Sequence, residues 1–258
     1  MSLYDWWAEN THEPMVGPAQ VGWCLAKQKS GVVYFEPERI RSVETNKTHH
    51  KSASRCPAVI NMESRYFLIR CPFDLHLQFA RDKQGRPTLR NMLGEKSPVR
   101  ASKLREIVHV TNESEWRYPD RPTVQISLPY LFIADTPVYM TQCDASMHYR
   151  KTPLPGTLFG GRFPIHVWPR QLMWAFEWHD IKQDLILKRG DPWFYAMFEA
   201  DRPDRAIQMV QAEMTPEFEQ FIEYVSGAVN YVNQTFSLFE QAAKARPKKL
   251  ITPVDRDR

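Results

Sequence analysis

Apolar and polar residues alternate most clearly between Gly156 and Ala200. Large apolar side chains occupy every second position of one stretch: Leu172, Trp174, Phe176 and Trp178. The positions between them include Met173 and Ala175, so a strand here would be apolar on nearly both faces. Such a strand is usually central in its sheet and covered on both sides.

A second aromatic strand is predicted at Trp193–Glu199 (WFYAMFE), directly after Gly190-Asp191-Pro192. Proline fixes its own φ and glycine permits positive φ, so this tripeptide suits a turn. Val21–Ala26 and Gly31–Phe35 are predicted to pair as a hairpin around Lys27–Ser30. Further strands are predicted at Ala58–Met62, two runs within Arg65–Ala80, Thr123–Ala134 with a break at Pro129, Val138–Cys143 and Ala206–Ala212. Leu104–Val110 fits a strand or a short helical turn, and the strand is preferred. Residues 81–103 hold few large apolar side chains and are predicted to form a long loop.

The pattern changes to a helical period after Ala212. Thr215 is suited to the N-cap of a helix and Pro216 to its first position. Apolar residues then recur every three or four positions to about Ala245. Roughly 30 residues at about 1.5 Å each would make a helix near 45 Å long. Because a sheet is narrower, the end carrying Phe236 and Phe239 is expected to overhang or to meet another chain.

Together these elements predict a mainly β, single-domain antiparallel β-sandwich, jelly-roll-like, with a long C-terminal α-helix. The expected organisation is an N-terminal arm (1–20), the sandwich (21–212), the helix packed on it (213–246) and a charged tail (247–258). The arm contains the adjacent Trp6 and Trp7. Solvated tails rarely carry two large aromatics, so we expect the arm to dock on its own domain or on a partner.

Composition narrows the class of protein. The chain has 258 residues, of which 43% are hydrophobic and 25% charged, as in a soluble globular protein. Its four cysteines are widely spaced without a CxxC pair, which favours free thiols in a reducing compartment. Neither a membrane-spanning apolar run nor a secretory signal is seen, so a cytoplasmic protein without membrane contact is predicted.

Polar side chains interrupt the aromatic segment and form the first candidate site. They combine with tryptophans into a candidate ligand-binding set: Arg162, His166, Arg170, Trp174, Glu177 and Trp178. Polar groups above an aromatic floor can bind sugars, nucleobases or other planar ligands. The structural alternative is that Glu177 pairs with an arginine across the sheet, because a carboxylate between two tryptophans is costly unless it is paired.

The sequence gives less support for a metal site or for a catalytic nucleophile. Sandwich folds of the double-stranded-helix type often hold Fe(II) on two histidines and one carboxylate. The available residues are His76, His109, His148, His166, His179, Asp74, Asp144, Glu177 and Asp180. They show neither His-x-Asp nor His-x-His spacing, so no metal site and no cofactor are predicted. A Gly-x-Ser-x-Gly nucleophile elbow is also missing from the sequence.

A basic stretch offers a nucleic-acid hypothesis. Between Arg81 and Glu106 there are eight lysines and arginines against three acids. This 81–105 loop lacks the interleaved aromatics on which single-stranded binders stack bases. Solvated loop is therefore the preferred interpretation, and nucleic-acid binding stays a weaker alternative.

Four successive motifs carry a resemblance: RYFLIRCPFDLHLQ, LPYLFIADTPVYM, GRFPIHVWPRQLMWAFEW and KRGDPWFYAMFE. Over roughly residues 20–240 the chain resembles uncharacterised proteins of marine phages, cyanophages especially, and of some bacteria. Those proteins share a similar GRF…W.R…FE strand pair and a G(D/E)P.FY turn. The resemblance implies a phage-encoded protein made in the host cytoplasm, and it implies no catalytic residue.

The function predicted from these observations is that of a non-catalytic interaction protein. Its contact surface would be Trp6 and Trp7, the helix end with Phe236 and Phe239, or the aromatic cluster. The expected partner is another protein or a second copy of the chain. A jelly-roll Fe(II) oxygenase-like enzyme is the alternative.

Overall fold

The computed structural model describes residues 17–26, 32–41, 55–202, 205–228, 230 and 233–255. Their strands are β1 (Ala19–Leu25), β2 (Glu38–Arg39), β3 (Tyr66–Arg70), β4 (Leu75–Arg81), β5 (Pro87–Asn91), β6 (Val108–Val110), β7 (Thr123–Ser127), β8 (Tyr130–Ile133), β9 (Val138–Asp144), β10 (Gly156–Leu158), β11 (Arg162–Pro164), β12 (Met173–Trp178), β13 (Leu185–Leu187), β14 (Pro192–Ala200) and β15 (Ile207–Gln211). Their α-helices are α1 (Pro57–Glu63), α2 (Ala101–Ile107), α3 (Pro216–Ala228) and α4 (Thr235–Ala245). Within these ranges, no helix has the length and apolar character needed to cross a bilayer.

The strands form four sheets, ordered β15-β1-β8, β10-β12-β7-β6, β11-β9-β14-β3-β2 and β13-β4-β5. Neighbouring strands are antiparallel, except that β1 and β15 run parallel. The predicted mainly β, sandwich-like architecture is therefore confirmed, with one parallel pair that the alternation pattern did not predict.

The two predicted aromatic strands are central strands of different sheets and face each other. β12 lies between β10 and β7, and β14 lies between β9 and β3. Ring centroids of Trp174 on β12 and Trp193 on β14 are 5.4 Å apart. On β12, Trp174, Phe176 and Trp178 are fully buried on one face, as their spacing predicted. This contact between the two sheets forms the main hydrophobic core.

A second core lies where helices cover the β15-β1-β8 sheet. Phe218, Phe221 and Val225 of α3 pack on Leu131 and Ile133 of β8. The α3 N-terminus is capped as predicted, because the Phe218 amide donates to the Thr215 hydroxyl at 3.2 Å. Helix packing on the sandwich thus follows from the apolar stripe of α3.

The predicted single C-terminal helix is wrong, because two helices, α3 and α4, occupy its place. The break falls in a stretch rich in asparagine, including Asn230 in a turn and Asn233 in a bend. Asparagine competes with the helix by bonding nearby backbone groups, and Gly227 weakens the last turn of α3. The apolar period continues across this break, so periodicity alone could not show it.

The predicted strand at Ala58–Met62 is also wrong, since this run lies in α1. Pro57 stands at the first helical turn, which its fixed φ favours. Leu104–Val110, predicted as a strand, is divided between α2 and β6. Short apolar runs do not distinguish the two periods.

The predicted hairpin of Val21–Ala26 with Gly31–Phe35 is not formed. β1 pairs with β15 and β8 instead, and residues 32–37 hold no strand. Lys27–Gly31 lie outside the described residues.

Residues 81–103 are not a long loop, which corrects the prediction. β4 and β5 pair as a hairpin, and Gly85 adopts a φ of 81° at its turn. The Asp82 carboxylate accepts the amides of Gln84 and Arg86, both at 2.9 Å, and so closes the turn.

The described part of the predicted charged tail, residues 247–255, packs on the protein. Leu250 and Ile251 are buried in the second core. The Glu213 amide donates to the Thr252 carbonyl, and the Val254 amide donates to the Gln211 carbonyl. The chain after α4 therefore returns along β15.

Candidate binding site

The six predicted ligand-binding residues do not form one site. Trp174 and Trp178 are fully buried between the sheets, and Nε1 of Trp178 donates to the carbonyls of Asp180 and Gln183. Their rings pack on other core aromatics and cannot form the floor of an open pocket. These two residues are structural.

Glu177 lies on the opposite face of β12 from these tryptophans. It is buried as well, with only 5% of its surface exposed. Its Oε1 is 2.9 Å from Nε2 of His179 and 3.7 Å from the guanidinium of Arg121, which precedes β7. The expected arginine is present, but the closer contact is to His179. Oε2 has no hydrogen-bond partner among the described residues.

Arg162 and His166 share Tyr139 of β9. The Arg162 guanidinium lies 3.9 Å from the Tyr139 ring centroid and bonds Glu199 at 3.0 Å. The His166 ring packs edge-on at 5.7 Å, with Nδ1 3.1 Å from the Val138 carbonyl oxygen. Burial lowers the pKa of His166, which favours the neutral ring. Each group already has an internal partner, so this cluster organises the β9–β11 edge.

Arg170 belongs to a different arrangement, built on Trp168. The Arg170 guanidinium lies 5.0 Å from the centroid of the Trp168 ring, and the centroid of the Phe239 ring lies 5.4 Å from it. Phe236 continues the series, 6.4 Å from Phe239, and is 80% exposed. Two residues predicted for partner binding and one predicted for ligand binding therefore meet here.

Beside these rings is a groove of about 520 Å³, which we call the aromatic groove. One wall is the chain leading into β12, and the other is the junction of α3 and α4. The lining residues are Trp168, Arg170, Gln171, Val225, Ser226, Asn230, Asn233, Gln234, Thr235 and Leu238. Four of these ten carry a side-chain amide and only Arg170 carries a charge. The described lining is therefore rich in groups that both donate and accept hydrogen bonds.

The walls of the aromatic groove are fixed to each other through Arg246. This residue follows α4, and its guanidinium donates to the His166 carbonyl and, at 3.2 and 3.1 Å, to the carbonyls of Ala134 and Asp135. The Trp168 amide in turn donates to Pro164 at 2.8 Å. These hydrogen bonds consequently fix the position of the loop with Trp168 relative to the end of α4. Sequence reasoning missed Arg246, because the three acceptors that fix the walls are each 80 or more positions away.

The histidines considered for a metal site are distributed over the molecule. His76 bonds Asp184 at 2.7 Å, His109 bonds Gln125 at 2.9 Å and His148 bonds Tyr195 at 2.5 Å. The other two contact Glu177 and Val138, as described above. The part of the chain that the structure describes has no group of three or more His, Cys, Asp or Glu placed to hold a metal ion.

Two further predicted contact surfaces are the N-terminal arm and the basic 81–105 stretch. Trp6 and Trp7 lie outside the described residues. In the basic 81–105 stretch, three cations are paired with acids: Arg81 with Glu113, Arg86 with Asp82 and Lys103 with Glu106. This pairing reduces the local positive field on which nucleic-acid binding would depend.

Comparison of the chain with protein-family models, with curated proteins and with solved structures returned no match. The resemblance to marine-phage proteins therefore stays a prediction.

Proposed function

We propose that this chain is a non-catalytic binding protein, and that the aromatic groove docks an extended segment of a partner protein. The exposure of Phe236 carries the proposal. This phenylalanine is 80% exposed, yet it ends a series of rings that continues through Phe239 to Trp168. An aromatic held by other aromatics but open to water on one side is suited to anchor a partner.

The composition of the aromatic groove supports a protein partner. Tryptophan, phenylalanine and arginine are enriched in the centre of protein interfaces, whereas lysine and carboxylates are depleted. Trp168 and Arg170 of the lining fit this pattern, and none of the ten lining residues is a lysine or an acid. Phe236 lies outside this lining and is joined to Trp168 through Phe239.

The amides favour an extended segment of that partner. An extended peptide exposes backbone N–H and C=O groups in alternation. A side-chain amide such as Gln171 or Asn233 offers the complementary acceptor and donor together. An apolar side chain of the same peptide would then pack on Trp168 and Phe236, as in other grooves that bind extended peptides.

Selection from a displayed library of random twelve-residue peptides tests the proposal directly. We expect selected peptides to share an apolar anchor and to bind the wild-type protein in fluorescence polarisation. Phe236→Ala and Gln171→Ala should each weaken that binding about tenfold or more, because each removes a contact at the proposed interface. Tyr149→Ala, which changes an exposed aromatic elsewhere, is the matched control and should leave affinity unchanged.

Two results would contradict the proposal. One is a selection in which every recovered peptide binds Phe236→Ala as well as wild type. The other is light scattering that shows a dimer dissociated by Phe236→Glu, since Phe236 would then contact a second copy of the chain.

A further inference from the structure

A second cavity, which shares no lining residue with the aromatic groove, lies in the loop between β9 and β10. Its volume is about 550 Å³, within the range of small-molecule sites. The lining residues are Asp144, Ala145, Ser146, Met147, His148, Tyr149, Arg150, Pro153, Leu154 and Gly156. We call it the β9–β10 cavity.

The loop around the β9–β10 cavity is fastened to β14. The Met147 amide donates to the Tyr195 hydroxyl at 3.2 Å, and Nδ1 of His148 lies 2.5 Å from the same oxygen. Arg150 donates to the carbonyl of Trp193. Since Tyr195 and Trp193 are fully buried, these contacts hold one wall of the cavity on the core. The site is thus preformed, which reduces the entropic cost of binding.

The two charged residues that line the β9–β10 cavity have opposite signs and do not pair with each other. Among the described residues, Arg150 has one hydrogen bond, to a carbonyl, and no ion pair with Asp144 within 4 Å. Within the described residues, the Asp144 carboxylate accepts no side-chain or backbone hydrogen bond. The charges do act on each other: burial lowers the pKa of Arg150, and Asp144 opposes that shift. Asp144 and Arg150 therefore both line the cavity without forming an ion pair with each other.

The remaining lining is apolar. Ala145 is buried, and Leu154 packs on the main core. At the rim, Tyr149 is 89% exposed and Met147 is 44% exposed. An aromatic and a thioether at the mouth of a cavity suit an apolar or aromatic ligand group.

We infer that the β9–β10 cavity binds a free α-amino acid with an apolar or aromatic side chain. The ligand ammonium would bind the Asp144 carboxylate, and its carboxylate would bind the Arg150 guanidinium. Its side chain would lie against Leu154 and Tyr149. Such charge-assisted hydrogen bonds are about twice as strong as neutral ones, so both ligand charges should matter. This inference is independent of the aromatic groove.

Calorimetry and thermal unfolding with L-phenylalanine and L-leucine test the inference. Both should bind and raise Tm in a saturable way, because a ligand specific for the folded state stabilises it. N-acetyl-L-phenylalanine lacks the ammonium, and L-phenylalanine amide lacks the carboxylate. Each should bind about tenfold or more weakly than the free amino acid.

Variants locate the site. Asp144→Asn should weaken binding of both amino acids about tenfold or more, while the unliganded protein still unfolds cooperatively, since the carboxylate accepts no hydrogen bond within the described residues. Tyr149→Ala should weaken the binding of L-phenylalanine more than that of L-leucine. Met92→Ala, which changes an exposed side chain just after β5, is the control and should bind both amino acids as the wild-type protein does. The inference is overturned if neither amino acid binds at millimolar concentration, if the capped forms bind equally well, or if Asp144→Asn retains full affinity.

Discussion

Two sets of aromatic rings in this protein have similar spacing and opposite surroundings. In the core, centroid distances are 4.9 Å from Trp174 to Phe176 and 5.4 Å from Trp174 to Trp193. At the aromatic groove, Phe239 is 5.4 Å from Trp168 and 6.4 Å from Phe236. The core rings are covered by a second sheet, whereas Phe236 is open to water. Ring-to-ring contact is therefore common to both sets, and the second covering layer separates a structural ring from one available for binding.

Truncating a core ring should give the largest effect on stability. Trp174→Ala is expected to lower the free energy of unfolding by about 3–5 kcal/mol, because it removes a fully buried ring and leaves a cavity between β12 and β14. Urea unfolding followed by circular dichroism measures this loss.

Trp174→Phe is the matched control for that cavity. Nε1 of Trp174 has no hydrogen-bond partner among the described residues, so phenylalanine gives up ring volume but no polar contact. Its loss should be clearly smaller than that of Trp174→Ala. Equal losses would mean that the indole nitrogen, and not the filled space, is what the core requires.

Tyr195 is intermediate between the two sets, and a pH experiment sharpens the comparison there. Its ring is buried on the outer face of β14, and its hydroxyl meets His148. Burial and the positive charge of Arg70 and Arg150 lower the pKa of His148, against the opposing effect of Glu38. Nδ1 of the neutral imidazole can therefore accept a hydrogen bond from the Tyr195 hydroxyl.

The sign of the pH effect follows from that shift. Because the folded pKa lies below the ordinary 6.5, the unfolded chain binds more protons as the pH falls. The stabilising contribution is present above pH 6.5 and is lost as pH falls from there through the lowered folded pKa. Urea unfolding at pH 5, 6, 7 and 8 should show a shallower loss for His148→Gln, whose side-chain oxygen can still accept from Tyr195. Burial also lowers the pKa of His166, so this residue should contribute part of the pH dependence in both the wild type and His148→Gln. Identical slopes would show that His148 does not titrate against folding.

The predictability of these regions differs for a physical reason. β14 is buried on both faces at most positions, which its nearly continuous apolar run indicated. Period-two alternation was sufficient for β12, because Trp174, Phe176 and Trp178 are buried on one face while Met173 and Ala175 on the other are only partly buried. It failed at Ala58–Met62, where five residues are too few to separate a strand from α1. It also failed at residues 81–103, where the hairpin depends on Asp82 and Gly85 in the turn and not on an apolar stripe.

The candidate site was predicted in part, for a related reason. Arg170, Phe236 and Phe239 were each identified as candidates, but in two separate sets. Their meeting at Trp168 depends on the break between α3 and α4 and on the Arg246 contacts, which join residues distant in sequence. Trp174 and Trp178 were assigned to the site in error, because alternation shows which residues share a face and not whether another sheet covers that face.

Phe236→Ala should give the smallest effect on stability and so completes the comparison. With 80% of the side chain already exposed, folding removes little of its apolar surface from water. The free energy of unfolding should therefore change by no more than about 0.5 kcal/mol, as for most surface substitutions. Urea unfolding beside Trp174→Ala measures both ends of the scale. A loss above about 1.5 kcal/mol would place Phe236 with the structural rings, because a change that large requires a buried contact. If Phe236→Ala is as stable as the wild type but no longer binds the selected peptides, the Phe236 ring is needed for recognition and not for folding.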